Sequence, residues 1–111
     1  MLWVLIFDPF IAMFYKLNED TATGTFAIVS LDAQRVETLI LLVEPPTPMP
    51  KVYVKDAAEF ALAVIVNNPR TPLKDRVAQA VITLEHRWKL WAENPEWKIR
   101  GGPWSHWPNA Q

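Results

Sequence analysis

The chain has 111 residues, half of them hydrophobic and 21% charged, with a net charge of −1 and no cysteine. That composition excludes a disordered chain, whose few apolar residues could not offset the entropy of ordering. The missing thiols exclude disulfides, cysteine-ligated zinc, iron–sulfur clusters and a thiol nucleophile.

A chain of this length forms one core without staples, so residues 1–111 are expected to be a single domain. Ten prolines are nearly double the ordinary usage of about 5%. The only glycines are Gly24, Gly101 and Gly102, so neither a G-x-G-x-x-G turn nor a Walker phosphate loop can be written. Up to Glu44, Lys16 and Arg35 stand against six acids, which leaves the remainder mildly basic. That is far from the clustered positive surface on which nucleic-acid binding depends.

Met1 to Tyr15 is greasy, with Asp8 its only charge. It is shorter than the roughly 20 residues of a spanning helix, and Asp8-Pro9 breaks it before Lys16 closes it. It lacks the basic start and the small-residue cleavage site of a secretory signal. The expectation is an unprocessed cytoplasmic chain with no membrane contact.

Leu2 to Phe7, rich in Ile, Val, Trp and Phe, predicts a strand buried on both faces and central in its sheet. For residues 10–17 helix and strand both fit, and a strand from Ile11 to Leu17 is preferred. Asn18 to Gly24 is turn chemistry, and Thr25 to Leu31 is then a clear strand, which makes a hairpin. Residues 32–43 stay open: Val36, Leu39, Ile40 and Val43 fit a helical face, but Arg35 to Val43 also fits a strand after an Asp-Ala-Gln turn. Residues 44–50, with Pro45, Pro46, Pro48 and Pro50, predict a stiff intradomain connector. Lys51 to Val54 then looks strand-like.

Asp56 and Glu59 stand three apart, as in a capping box, and predict a helix starting there and ending at Asn67-Asn68-Pro69. Its inner face is expected at Ala57, Phe60, Ala61, Val64 and Ile65. Ala58, Leu62 and Val66 are apolar too, so the helix must be covered all round, beneath its own chain or against a second copy. Thr71-Pro72 predicts an N-cap hydroxyl followed by proline in the first turn of a long helix to about Glu93. Leu73, Val77, Val81, Leu84, Trp88 and Trp91 form its apolar stripe, with Lys74, Asp75, Gln79 and Glu85 toward water; Asn94-Pro95 stops it. The fold class is α+β: an antiparallel sheet from the N-terminal half with two C-terminal helices packed on one face.

Chemistry is sparse. The histidines are His86 and His106, and the serines are Ser30 and Ser105. Ser105 and His106 are neighbours without a nucleophile elbow, so no hydrolytic triad is indicated. No i, i+4 histidine pair exists for a metal, and no acid pair flanks an apolar pocket. His86 fits the edge of a packed helical face. The sequence therefore assigns no catalytic residue, no metal and no cofactor.

What stands out is residues 95–111, a tryptophan-rich tail. Trp88, Trp91, Trp97, Trp104 and Trp107 cluster late in the chain, and no acid lies between Trp97 and Pro108. An indole buries a large area while keeping one N–H for a polar partner, which favours it at binding hot spots. The rings can pack over their own domain, dock another protein, or stack single-stranded nucleic acid, the last disfavoured by low positive charge. A small cysteine-free chain with an over-apolar helix and an aromatic tail has the habit of phage and mobile-element accessory proteins that act by binding. The expected function is a non-catalytic interaction protein, of the kind that inhibits or assists a larger host protein. Its partner surface would be Trp97, Lys98, Arg100, Trp104, His106 and Trp107, with a homodimer interface at Phe60, Leu62 and Val66. The alternative is a small-molecule-binding or minor catalytic domain with His86, Trp88, Trp91 and His106 around an apolar pocket.

Overall fold

The computed structural model describes residues 5–8 and 13–96. Four strands, β1 (Leu5–Asp8), β2 (Met13–Asp20), β3 (Thr25–Leu31) and β4 (Glu37–Val43), form an antiparallel meander in the order β1-β2-β3-β4. Two helices follow, α1 (Lys51–Asn67) and α2 (Leu73–Glu93). Helix α1 packs on β2 and β3, and α2 packs along α1 and reaches β4. The class is α+β, as the order of strand and helix patterns implies. Among the described residues no helix is long and apolar enough to cross a membrane.

The β2–β3 hairpin is set by its turn. Asp20 Oδ1 accepts the N–H of Ala22 at 3.0 Å, and the carbonyl of Asp20 accepts the N–H of Gly24 at 2.9 Å. Gly24 has φ +71°, a conformation without penalty only for a residue lacking Cβ. The turn is thus Thr21 to Gly24, and β2 continues through Asn18, Glu19 and Asp20, which were expected to belong to it. Their polarity misled because Glu19 sits at the sheet's end, where Lys51 pairs with it.

Residues 37–43 are a strand and not a helix. Asp32 decides this: its Oδ1 accepts N–H bonds from Gln34 at 2.9 Å and Val36 at 3.0 Å, closing a tight loop that returns the chain antiparallel to β3. Within it Arg35 has φ +63°, unfavourable for a residue with a Cβ. Arg35→Gly is therefore expected to raise stability by about 0.5–1 kcal/mol, read as a higher urea midpoint at unchanged slope; an unchanged or lower midpoint would contradict that strain.

Three further expectations are corrected. Among the described residues strand β1 pairs with β2 alone and lies at the sheet edge, not at its centre. Lys51 to Val54 is the first turn of α1, because Tyr53 and Val54 continue the buried face through Ala57, Ala58, Ala61, Leu62 and Ile65. The helix start is therefore Pro50, with no side-chain cap, and Asp56 instead pairs with Arg87 across to α2 at 2.6 Å. The start of α2 moves by one residue: Pro72 occupies the cap position and no side chain caps it.

The buried face of α1 is also rotated relative to expectation, with Ala58 and Leu62 inside and Phe60 half exposed. Only Lys51, Phe60 and Asn67 of this helix are exposed. The sheet and α2 thus cover most of a helix that is apolar on nearly every side, within one subunit. Three alanines, Ala57, Ala58 and Ala61, lie in this buried face, and their small side chains permit close approach. Helix α2 runs as expected, with Lys74, Asp75, Gln79 and Glu85 exposed and Leu84 and Trp91 buried. Asn94 closes it, its Nδ2 donating to the Leu90 carbonyl at 2.7 Å.

Candidate functional site

Strand β4 positions the exposed apolar residues. Its sequence Glu-Thr-Leu-Ile-Leu-Leu-Val has no polar residue after Thr38, so apolar side chains point to both sides of the sheet. On the inner side Tyr15, Leu17, Phe26, Ile28 and Val43 join the core with α1. The register puts Leu39 beside Val29 and Leu42 beside Ala27, on the side away from the helices. Leu39 is 60% exposed and Leu42 50%, with Phe14 and Val36 also exposed. Between Ile28 and Val29 the pairing shifts, leaving Ile40 as an extra residue that bulges β4.

A polar cluster crosses this apolar face. Lys16 Nζ lies 2.7 Å from Glu37 Oε2, and Asn18 Nδ2 donates to Glu37 Oε1 at 3.4 Å. The hydrogen bond from Lys16 is the main cause that holds the Glu37 carboxyl below its usual range, against a smaller desolvation effect. Because that pKa is depressed by folding, the stabilisation is present above the unfolded carboxylate pKa and is lost as pH falls through the folded one. The carboxyl is solvent-exposed, so the effect is small.

Two clefts meet at the end of β4. A groove of about 440 Å³ runs between β4 and α2, lined by Leu41, Leu42, Val81, Leu84 and Trp88 with Glu44, Pro46 and Glu85. The second, of similar volume, lies between the β2–β3 turn and the proline connector and shares Glu44 and Pro46 with the first. The stiff connector thus forms a common wall.

The aromatic and cationic groups between the helices serve packing. Tyr53 donates its hydroxyl to the Arg87 carbonyl at 2.7 Å, and its ring lies 4.9 Å from that of Trp91. Burial pushes the Tyr53 phenol up, and the nearby Arg87 charge partly opposes this. Arg87 also sits 5.0 Å above the Phe60 ring, a cation–π contact.

The sequence-derived site residues fall as follows. Trp97, Lys98, Arg100, Trp104, His106 and Trp107 lie outside the described residues, as does Ser105. Of the dimer set, Leu62 is 1% exposed inside its own subunit's core, Val66 is half-buried and Phe60 is half exposed under Arg87. His86, Trp88 and Trp91 do not converge: His86 is exposed, Trp88 lines the groove and Trp91 is buried against Tyr53. Ser30 is buried, and its Oγ has no hydrogen-bond partner among the described residues. Among the described residues no group of three His, Cys, Asp or Glu is placed to hold a metal.

The groove residues Leu41, Leu42, Glu44 and Glu85 were not singled out from sequence. The one available signal was the uncharged run from Leu39 to Val43, apolar on both faces of a strand in an antiparallel meander. Comparison of the chain with protein-family models, with curated proteins and with solved structures finds no match.

Proposed function

We propose that this chain is a non-catalytic interaction protein that works in the cytoplasm by binding a larger protein, as an inhibitor or accessory factor. The observation that carries this reading is the apolar sheet face of Phe14, Leu39 and Leu42, which the two helices leave uncovered on the opposite side. Apolar side chains exposed on one sheet face, here on either side of the Lys16–Glu37 pair, offer a partner contact surface. The tryptophan-rich stretch Trp97, Lys98, Arg100, Trp104, His106 and Trp107 supplies a second set of hot-spot residue types.

Affinity capture from lysate of the source cell tests both surfaces in parallel. Wild type is compared with Trp104→Ala/Trp107→Ala and with Leu39→Lys/Leu42→Lys, each variant checked for folding by circular dichroism. One protein recovered in stoichiometric amount by wild type and lost in either variant is the expected result. Recovery that neither variant changes would overturn the reading. The homodimer is a separate part of the proposal, and gel filtration over a hundredfold concentration range tests it: a constant monomer elution removes it.

A further inference from the structure

Strand β4 is the last strand of the sheet and pairs with β3 alone among the described residues. Among the described residues, one side of its backbone therefore presents N–H and C=O groups from Glu37 to Val43 without ladder partners. Such an edge is a template for another strand unless charge, proline or cover blunts it. Here the only charge is Glu37 at the start, and the prolines begin after the end, at Pro45. The bulge at Ile40 interrupts the edge, but Leu39 to Val43 carries no polar side chain.

The groove lies alongside this same edge. Leu41, from the helix side of β4, and Leu42, from its other side at this edge, line one wall, and Val81, Leu84 and Trp88 of α2 form the other. Two exposed carboxylates, Glu44 and Glu85, lie in its lining, and neither has a cation as partner among the described residues. An open strand edge facing a helix across an apolar groove is the geometry by which a sheet captures an extended peptide: the main chain supplies affinity and the groove sorts side chains.

We propose that the groove between β4 and α2 binds an extended, mainly apolar segment of another protein that carries lysine or arginine, adding it as a fifth strand on β4. The cationic requirement follows from Glu44 and Glu85. A second copy of β4 does not meet it, because no Lys or Arg occurs from Val36 to Pro50 and self-pairing would bring further carboxylates to the same place. The inference rests on the reading of the chain as a protein-binding module and names the class of segment it recognises.

The test uses the full chain and a fluorescein-labelled peptide, Leu-Lys-Val-Thr-Val-Arg-Leu, followed by anisotropy. Saturable binding is expected, with amide shifts on the NMR spectrum confined to residues 38–43 and 81–88. Methylating alternate peptide nitrogens removes the strand hydrogen bonds and is expected to weaken binding about tenfold or more. Glu44→Lys/Glu85→Lys, both at exposed positions, is expected to weaken it by a similar factor and to reverse its salt dependence, since screening then relieves a repulsion.

Equal binding of the methylated peptide, or no effect of the charge reversal, overturns the proposal. So does absence of binding. If binding then appears in Trp97→Ala/Ile99→Ala, the chain's own carboxyl-terminal segment is the occupant. If sedimentation shows a dimer lost on Leu41→Lys, a second copy is. Should the peptide fail while Trp104→Ala/Trp107→Ala still loses a captured protein, the interaction function stands and only the assignment of the groove falls.

Discussion

Replacing Leu62 by alanine is expected to lower the free energy of unfolding by roughly 2–5 kcal/mol, the usual range for a leucine removed from a packed core. Leu62 lies in one cluster with Ala58, Ala61, Ile65, Phe26 and Leu84, at 1% exposure. The lost methyl groups leave a cavity between the sheet and α2 that rigid helices fill only partly. The loss belongs to the subunit, so it must be independent of protein concentration, whereas a dimer contact would give a cost that shrinks on dilution, as wild type and variant both become monomeric. Phe60→Ala is the control: that ring is half exposed, and its contact with Arg87 is worth about 0.5–1 kcal/mol. Urea unfolding at two concentrations checks both. A Leu62→Ala cost below about 1 kcal/mol, or one that changes with concentration, would mean that this face of α1 is not core.

Arg76→Ala is expected to cost about 2–4 kcal/mol, by a different mechanism. Arg76 is 3% exposed, and its guanidinium joins the end of α1 to the start of α2. Nη1 donates to the Ile65 carbonyl at 2.6 Å and Nε to the Thr71 carbonyl at 2.9 Å. The Ile65 carbonyl is among the last four of α1, which have no acceptor role inside the helix and need an outside donor. Alanine leaves both oxygens buried or half-buried without that donor. Lysine is not expected to rescue, since one ammonium cannot reproduce a planar fork aimed at two carbonyls. Hydrogen exchange adds a local readout: amides at the end of α1 and in residues 68–73 should lose protection in both variants. Full rescue by lysine would show that charge alone, not fork geometry, holds the junction.

Both residues show how the helix pair is secured without side-chain caps. Pro50 and Pro72 each occupy a cap position and donate nothing. Their carbonyls instead open the helices, accepting from Tyr53 and Val54 in one case and from Asp75 and Arg76 in the other. The fixed φ of proline prepares this geometry at low entropic cost. The long-range bonds of Arg76, and the Asp56–Arg87 pair, then fix the helices to each other.

The sequence by itself determined β3, the body of α2 and the C-terminal ends of both helices, since each rests on local physics. Thr25 to Leu31 is a run with aromatic and β-branched residues between a glycine turn and an aspartate loop. The α2 stripe keeps helical spacing over five turns. Asn68-Pro69 and Asn94-Pro95 cannot continue a helix whatever surrounds them. Those signals, in their order along the chain, also determined the α+β class.

Tertiary structure decided what locally balanced residues could not. Lys51 to Val54 has strand-like composition but became helix because Tyr53 and Val54 find the same buried face as Ala57 and Ala61. Residues 37–43 became strand because Asp32 closes a loop that delivers them to the free side of β3. The face that α1 buries was also beyond sequence, because a helix apolar on nearly all sides carries no periodic signal. The groove is the clearest case: Leu41 and Leu42 stand about forty positions from Val81 and Glu85, and only the packing of α2 beside β4 puts a strand edge, apolar walls and two exposed carboxylates in one place.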